Sequence, residues 1–530
     1  MNRADNLFRR SAEDPERVAL VFGDREISFG EWAARARALA DGFRRQGLQA
    51  GDRVAFFVGS RPEFMFLQYA CFAAGGVVVP LNTLYGADEV DHAIGQCEAN
   101  FVLADFALLP LFGPDFRVRC PSVRRIFVLD YPEVDNGYHA PASMLEGTAA
   151  AFPEPVDLPP EALGQMLYTS ATTGRAKAVM LTQANLAANY DASPGWLGYT
   201  SADIILCALP LFNTFSLNQC INATTVTGGK LVVVPKFDAV GCMLAIERWR
   251  CTVFPCVPTM LQKVLSHPEV DRHDLSSLNR IMVGAAPVPT PLLLKARAYF
   301  GPGLQMITGY GLTEGAALIT TLTVELDEYG QQKRERSIGR SVPGMQVEIL
   351  GEDGAVLAHN HPGEICIRGP NVMAGYYKQP EETAKALAGG WLHTGDIGIM
   401  NADGYLWIVD RKKDVIIRGG QNIYPADIEE ALYGHPAVAE AAVVAKFDEL
   451  FGEVPCAYVS FKPGLEASVD DLLAICRAKL AAYKLPKTIE VLPELPKGPT
   501  GKILRRSLRG PWPDATVSAA VMMTGAAGHV

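Results

Sequence analysis

Residues 230–256 read KLVVVPKFDAVGCMLAIERWRCTVFPC, and their reading decides the fold. A short apolar run (230–235) gives way at Asp238 to a helix-length stretch reaching about Arg250. A second apolar run follows at 252–256. Both runs are short, rich in valine and punctuated by proline, which marks buried strands. The alternation continues outward with a helix near 258–266, RIMV at 280–283, a helix near 289–299 and LQMIT at 304–308. Toward the N-terminus, ERVALVFGDREISFGEWA (16–33) reads as a hairpin followed by a helix. RVAFFV (53–58) reads as a strand, the stretch to about Ala74 as a helix, and VVVPL (77–81) as another strand. Strands alternating with helices imply an α/β chain whose parallel sheets are covered on both faces. Ligands in such sheets sit at the carboxyl ends of the strands. Three loops that follow predicted strands are therefore placed to converge on one crevice: 166–177, 284–287 and 309–315.

The first of these loops, MLYTSATTGRAK (166–177), has the composition of a phosphate cradle. Tyr168, Thr169, Ser170, Thr172 and Thr173 offer hydroxyls, the turn at Gly174 offers backbone N–H groups, and Lys177 offers a positive charge. Its spacing is not that of G-x-x-x-x-G-K-[ST].

The 530 residues are enough for three or four domain-sized units, and nearly half are apolar. The net charge of −10 argues against nucleic acid as a partner, because a phosphate-backbone binder needs a basic face. The eleven cysteines are scattered without C-x-x-C, which fits reduced thiols and a cytoplasmic chain. His359 and His361 sit in a Pro/Asn loop and form no zinc-like cluster. The charged start MNRADNLFRRSAEDPE lacks the apolar core of a signal peptide. The uncharged stretch 64–87 contains Gly75, Gly76, Pro80 and Asn82, so it reads as buried helix, turn and strand rather than a membrane span.

After Ser337 short strands with Gly and Pro turns dominate, as in GEICIRG and GYLWIV, and imply a small β-rich subdomain. A charged run at 410–414 precedes a compact region reading strand–helix–strand–strand–helix–strand, long enough to fold as an α+β domain. Residues 511–530 read as a loose tail.

Five motifs in order, YTSATTGRAK, GYGLTEG, WLHTGDIG, DRKKDVIIRGGQNIYPADIEE and PKGPTGKILRR, resemble those of the AMP-forming adenylating enzymes. That superfamily includes acyl-CoA synthetases, nonribosomal adenylation domains and firefly luciferase. The likeness covers about residues 15–508. It implies a large N-terminal domain (1–410), a hinge (411–414) around Lys413, and a small mobile C-terminal domain (415–510). It also implies ATP, Mg²⁺ and CoA as substrates and cofactors. On this likeness Thr169, Ser170, Thr172, Thr173, Gly174 and Lys177 hold the β- and γ-phosphates. Tyr310 packs on adenine with Gly309 beside it in the nucleotide site and next to the acid pocket, Thr313 meets the α-phosphate and Glu314 helps to hold Mg²⁺. Asp396 and Arg411 take the ribose hydroxyls. Lys502 resembles the lysine that reaches the α-phosphate and the attacking carboxylate. A fixed cation there lowers the energy of the charge developing at phosphorus. Gly419 and Gly420 resemble the face that admits a pantetheine arm. Phe212, Asn213, Phe215, Ser216 and Gly284 are expected to line the acid pocket.

A carboxylate is a poor electrophile, and joining it to AMP supplies a leaving group that a thiol can displace. The leading expectation is thus an acid:CoA ligase for a fatty or aromatic acid, with no membrane span. Association into a homodimer is left open. Three positions depart from the common pattern: Ala171 and Ala178 stand where glycine is usual, and Asn213 where many relatives carry histidine. Asn213 cannot act as an acid or base. The departures admit another acceptor or activated acid, such as a carrier protein, or an ATP-dependent diazotase joining nitrite to an aryl amine. They also admit a nucleotide-binding protein without catalysis, against which Glu314, Asp396, Arg411 and Lys502 stand together.

Overall fold

In the computed structural model the described residues are 1–132, 138–152, 154–169, 176–286, 288–327, 332–419, 421–448, 450–497 and 503–509. The chain divides into two compact units. The first comprises Met1–Glu348, Cys366–His393 and Met400–Trp407; the second comprises Ile349–Ile365, Thr394–Ile399 and the chain from Ile408 onward.

The first unit holds two large sheets. Six strands within them carry the candidate site: β1 (Leu163–Tyr168), β2 (Ala178–Thr182), β3 (Arg280–Val283), β4 (Gln305–Leu312), β5 (Ala317–Thr323) and β6 (Gly375–Tyr376). The nine-stranded sheet runs Arg340–Ser341, β5, β4, β3, Val253–Cys256, Ile204–Cys207, Lys230–Val233, Val18–Phe22, Arg25–Ser28. The eight-stranded sheet runs β6, β2, β1, Val77–Pro80, Arg53–Phe57, Phe101–Asp105, Arg125–Leu129, His139–Pro141.

The apolar runs at 230–308 form strands as expected and all pair in parallel: Ile204–Cys207 lies between Lys230–Val233 and Val253–Cys256, and the later runs pair in succession, with Val283 beside Thr308. The sheets are mixed rather than wholly parallel, which corrects the expectation. The reason is local: where a loop is short the chain must turn back on itself. Gly23 (φ 60°) and Asp24 join Val18–Phe22 to Arg25–Ser28 in a two-residue hairpin. A tight turn at Thr313–Gly315 likewise returns β4 onto β5 antiparallel.

The helix Pro62–Ala73 is buried on every face except at Glu63. That is why its sequence is apolar all round. Among the described residues no helix is long and apolar enough to cross a membrane. All eleven cysteines are buried, and none forms a disulfide.

A four-stranded sheet orders Gln346–Leu350, Gly363–Arg368, Leu392–Met400, Leu406–Arg411. In the second unit, Gln421–Ile423, Ile416–Arg418, Gly452–Phe461 and Val438–Asp448 pair in that order, and Thr488–Val491 joins Gly452–Phe461 in parallel. The helices Pro425–Tyr433 and Val469–Lys479 contribute Ile428, Leu432, Leu472 and Cys476 to a core with Ile416, Val443 and Val459. Ser468 caps the second helix by accepting from the Asp471 N–H, the local signal that starts it.

Candidate active site

β1 and β2 form an antiparallel hairpin closed by the Tyr168–Ala178 pair. The loop between them is pinned at its base. Thr169 N–H donates to the Lys177 carbonyl (3.1 Å), and Lys177 N–H donates to Thr169 Oγ1 (3.3 Å). Ser170, Ala171, Thr172, Thr173 and Gly174 lie outside the described residues. Tyr168 differs from expectation: its hydroxyl donates to the Ala93 carbonyl, and burial pushes its pKa up, so it is committed to packing rather than offered to a ligand. Ala178 sits in β2 and is absent from the residues with positive φ, so its methyl introduces no strain where glycine is usual.

Lys177 ion-pairs with Glu382, whose pKa is held down by that hydrogen bond and by Lys385. The Lys177 ammonium also lies 4.8 Å from the centroid of the Tyr376 ring. The Tyr376 hydroxyl donates to Glu314 Oε1 at 2.9 Å. Lys177, just ahead of β2 in one sheet, and the carboxylate that follows β4 in the other thus meet on a single ring.

Glu314 is placed by a strained turn. β4 extends through Leu312, so Gly309, Tyr310 and Gly311 lie in a strand with an irregularity after Tyr310, where the glycines read as a turn. The glycines are there for close approach. A Cβ on Gly309 would fall 2.6 Å from the Thr320 carbonyl, and one on Gly311 1.8 Å from that of Ala317. Thr313–Gly315 then turns, and Ala316 (φ 52°) and Ala317 (φ 99°) take left-handed backbone conformations. Such strain at non-glycine residues costs of order 1–3 kcal/mol each and clusters at functional sites. Buried Asn189 braces the return strand, its side chain donating to the Leu318 carbonyl (2.7 Å) and accepting from the Leu318 N–H (3.4 Å). Tyr310, Thr313 and Glu314 are half-buried.

Gly284 follows β3. A Cβ there would meet the Phe215 ring at 3.8 Å and the Gly309 carbonyl at 3.9 Å, so these three converge. Phe212, Asn213 and Phe215 are half-buried. Ser216 is fully buried, and its hydroxyl donates to the Pro210 and Asn213 carbonyls, leaving it to hold the local turn.

In the second unit Arg411 Nε lies 2.6 Å from Asp396 Oδ1. The carboxylate is buried (6% side-chain exposure) while the guanidinium is half open (47%), so the pair faces outward through its arginine. Lys413 is exposed in a turn in which the Asp414 and Val415 N–H groups donate to the Arg411 carbonyl. Gly419 has φ 54°, and a Cβ there would meet the Phe451 ring at 3.4 Å. Gly420 and Lys502 lie outside the described residues. The chain on either side of Lys502 is described: Lys497 and Ile503 form an antiparallel bridge. Arg505, on the described side of Lys502, reaches Glu429 and Asp414.

Tyr376, Glu382 and Asn189 carry no motif signal. Pro380 with Glu381 and Glu382 does mark a helix start, and a helix begins there, but its partner Lys177 is remote in sequence.

For a divalent cation the described donors fit. Glu314 offers a carboxylate next to Thr313 in the chain, and a hard ion bound to phosphates usually takes one or two protein carboxylates.

Two mixed sheets with loops converging at strand ends, followed by a small α+β unit, define a nucleotide-type α/β architecture. The AMP-binding enzyme family model matches residues 7–377, and the AMP-binding enzyme C-terminal domain model matches 427–502. The chain belongs to the AMP-binding enzyme family. It is 36% identical over 503 residues to a feruloyl-CoA synthase of Amycolatopsis sp, covering 94% of this chain and 97% of that one. It is 33% identical over 527 residues to a long-chain-fatty-acid–CoA ligase of Bacillus subtilis strain 168, covering 95% and 93%. Among solved structures it resembles o-succinylbenzoate CoA synthetase of Bacillus subtilis in complex with its acyl-adenylate intermediate. That match has TM-score 0.83 and 30% identity over 97% of this chain and 99% of that one.

Proposed function

We propose that this chain is an AMP-forming acid:CoA ligase that activates an apolar carboxylic acid, fatty or aromatic. In the first step a carboxylate oxygen attacks the α-phosphorus of ATP. The bond to pyrophosphate breaks, giving acyl-AMP. In the second step the thiol sulfur of CoA attacks the acyl carbon, the bond to AMP breaks, and the thiol proton leaves to solvent.

Thr169, Ser170, Thr172, Thr173, Gly174 and Lys177 hold the β- and γ-phosphates. Gly309 and Tyr310 receive adenine, Thr313 orients the α-phosphate, and Asp396 with Arg411 binds the ribose hydroxyls. Glu314 holds Mg²⁺, which when bound neutralises charge on the polyphosphate. Lys502 stabilises the first transition state. Lys413 serves as the hinge between domains 1–410 and 415–510, letting Gly419 and Gly420 replace Lys502 at the acyl group for the second step. Phe212, Asn213, Phe215, Ser216 and Gly284 form the acid pocket. Two aromatic side chains and a glycine, without a cationic anchor among them, suit an apolar acid.

The observation that carries this reading is the meeting of Lys177 and Glu314 on Tyr376, a polyphosphate cation and a metal carboxylate brought together from two sheets. Relatives named as CoA ligases over nearly their whole length support CoA as the acceptor. Eleven buried cysteines outside any disulfide support a reducing compartment, the cytoplasm. A homodimer belongs to the proposal, and light scattering of the purified chain reads it. The test of function is thioester formation from ATP, Mg²⁺ and CoA across fatty and aryl acids. A CoA thioester of at least one of them is the expected result. Turnover only with nitrite and an aryl amine would overturn the choice of acceptor.

A further inference from the structure

Tyr376 stands where the two sheets of the first unit meet. Its backbone pairs with Val179 of β2 in the eight-stranded sheet, and its hydroxyl reaches Glu314, which follows β4 of the nine-stranded one. The segment around it holds the Glu314 turn from several sides. Met373 N–H donates to the Glu314 carbonyl (2.8 Å), and the buried Asn371 side chain donates to the Gly315 carbonyl (3.3 Å). Thr383 Oγ1 accepts from Tyr376 N–H (2.9 Å) and fixes the base of the tyrosine itself. The two ends of this side chain therefore do different things. The hydroxyl occupies one carboxylate oxygen of Glu314 and leaves Oε2 for another partner, while the ring face lies under the Lys177 ammonium. A cation is attracted to an aromatic face, and a carboxylate accepts a stronger hydrogen bond than a neutral oxygen does.

We propose that Tyr376 is a two-sided positioning residue: its hydroxyl aims the Glu314 carboxylate at the divalent cation, and its ring sets Lys177 one aromatic width away for the polyphosphate. The proposal rests on the reading of Glu314 as the cation carboxylate and Lys177 as a phosphate contact. It adds a residue that touches neither substrate nor metal, yet sets the spacing of the two groups that do.

The two ends can be separated by calorimetric titration of the full chain with ATP, once with Mg²⁺ and once with EDTA. Tyr376→Phe keeps the ring and removes the donor, so ATP affinity is expected to fall about tenfold with Mg²⁺ and to stay unchanged in EDTA. Tyr376→Leu, or Tyr376→Met should the leucine variant not fold, removes the ring as well and is expected to weaken binding in both media. A Tyr376→Phe variant with unaltered affinity in Mg²⁺, or with equal losses in both media, overturns the proposal. Glu314→Gln separates that failure from failure of the underlying reading. If Glu314→Gln keeps the full Mg²⁺ enhancement, the assignment of Glu314 falls and the proposal with it. If Glu314→Gln loses the enhancement while Tyr376→Phe retains it, only the proposal falls.

Discussion

Arg505 donates from Nη2 to both oxygens of Glu429, at 2.8 and 2.7 Å, and the pair ties the described end of the chain to the helix Pro425–Tyr433. Nη1 also reaches Asp414, 3.3 Å away, next to the proposed hinge. Lys502 lies three residues earlier in the sequence. Arg505→Ala is therefore expected to leave Lys502, the proposed catalytic lysine, poorly placed. Acyl-AMP formation should fall about 10²-fold, the cost of misplacing a reacting group by roughly an ångström. Thioester formation from supplied acyl-AMP should change little. Arg505→Lys should rescue only in part, because lysine cannot reproduce the two-pronged contact. Separate assays of the two half-reactions check this.

Lys502→Ala goes further. Removing one preorganised charge from such a transition state costs about 10²–10³-fold in rate. Adenylation is expected to fall by at least that factor while attack of CoA on preformed acyl-AMP is spared. Equal losses in both half-reactions would remove Lys502 from its assigned step.

Gly284 of the proposed acid pocket and Gly309 beside it are expected to respond differently. A methyl on Gly284 would touch the Phe215 ring at ordinary contact distance, 3.8 Å. Gly284→Ala should fold normally, raise KM for bulky acids several-fold and leave KM for ATP unchanged. A methyl on Gly309 would stand 2.6 Å from the Thr320 carbonyl. Gly309→Ala should cost about 1–3 kcal/mol of stability by overpacking. Thermal melts and paired KM measurements separate the two outcomes.

Asp410 gives a pH dependence whose sign is fixed by its burial. Burial pushes its pKa from 3.8 up to about 6, partly offset by accepted N–H bonds from Ala426 and Arg411. Well below pH 3.8 the group is protonated folded or unfolded and has no effect on their balance. As pH rises toward 6 the unfolded chain releases the proton first, so the folded state loses stability, by about 2–3 kcal/mol at most, and then levels off. Asp410→Asn should lack this fall. Urea unfolding of both forms at pH 4.5 and 7 reads the difference.

Much of this architecture is legible in the chain because buried strands and amphipathic helices have distinct periods. The runs at 53–58, 77–81 and 230–308 become strands close to where the pattern puts them. The return strand β5 is not legible. The glycines of GYGLTEG look like a turn, yet Gly309 and Gly311 are strand positions that only glycine fills, because carbonyls from β5 press against them. Hydroxyl allegiance is equally hidden. Nothing near Tyr168 or Ser216 in sequence announces that their oxygens are committed to the Ala93, Pro210 and Asn213 carbonyls. Tyr376 escapes for the same reason, since its meaning comes from Lys177 and Glu314, which are distant in sequence and brought to it only by folding.

The central claim, that this protein makes a mixed anhydride with AMP before any thiol enters, is tested most directly by acid-dependent exchange of labelled pyrophosphate into ATP with CoA omitted. The account expects exchange that requires both the acid and Mg²⁺, with acyl-adenylate detected by mass. Hydrolysis of ATP to ADP and orthophosphate, without exchange, would contradict it.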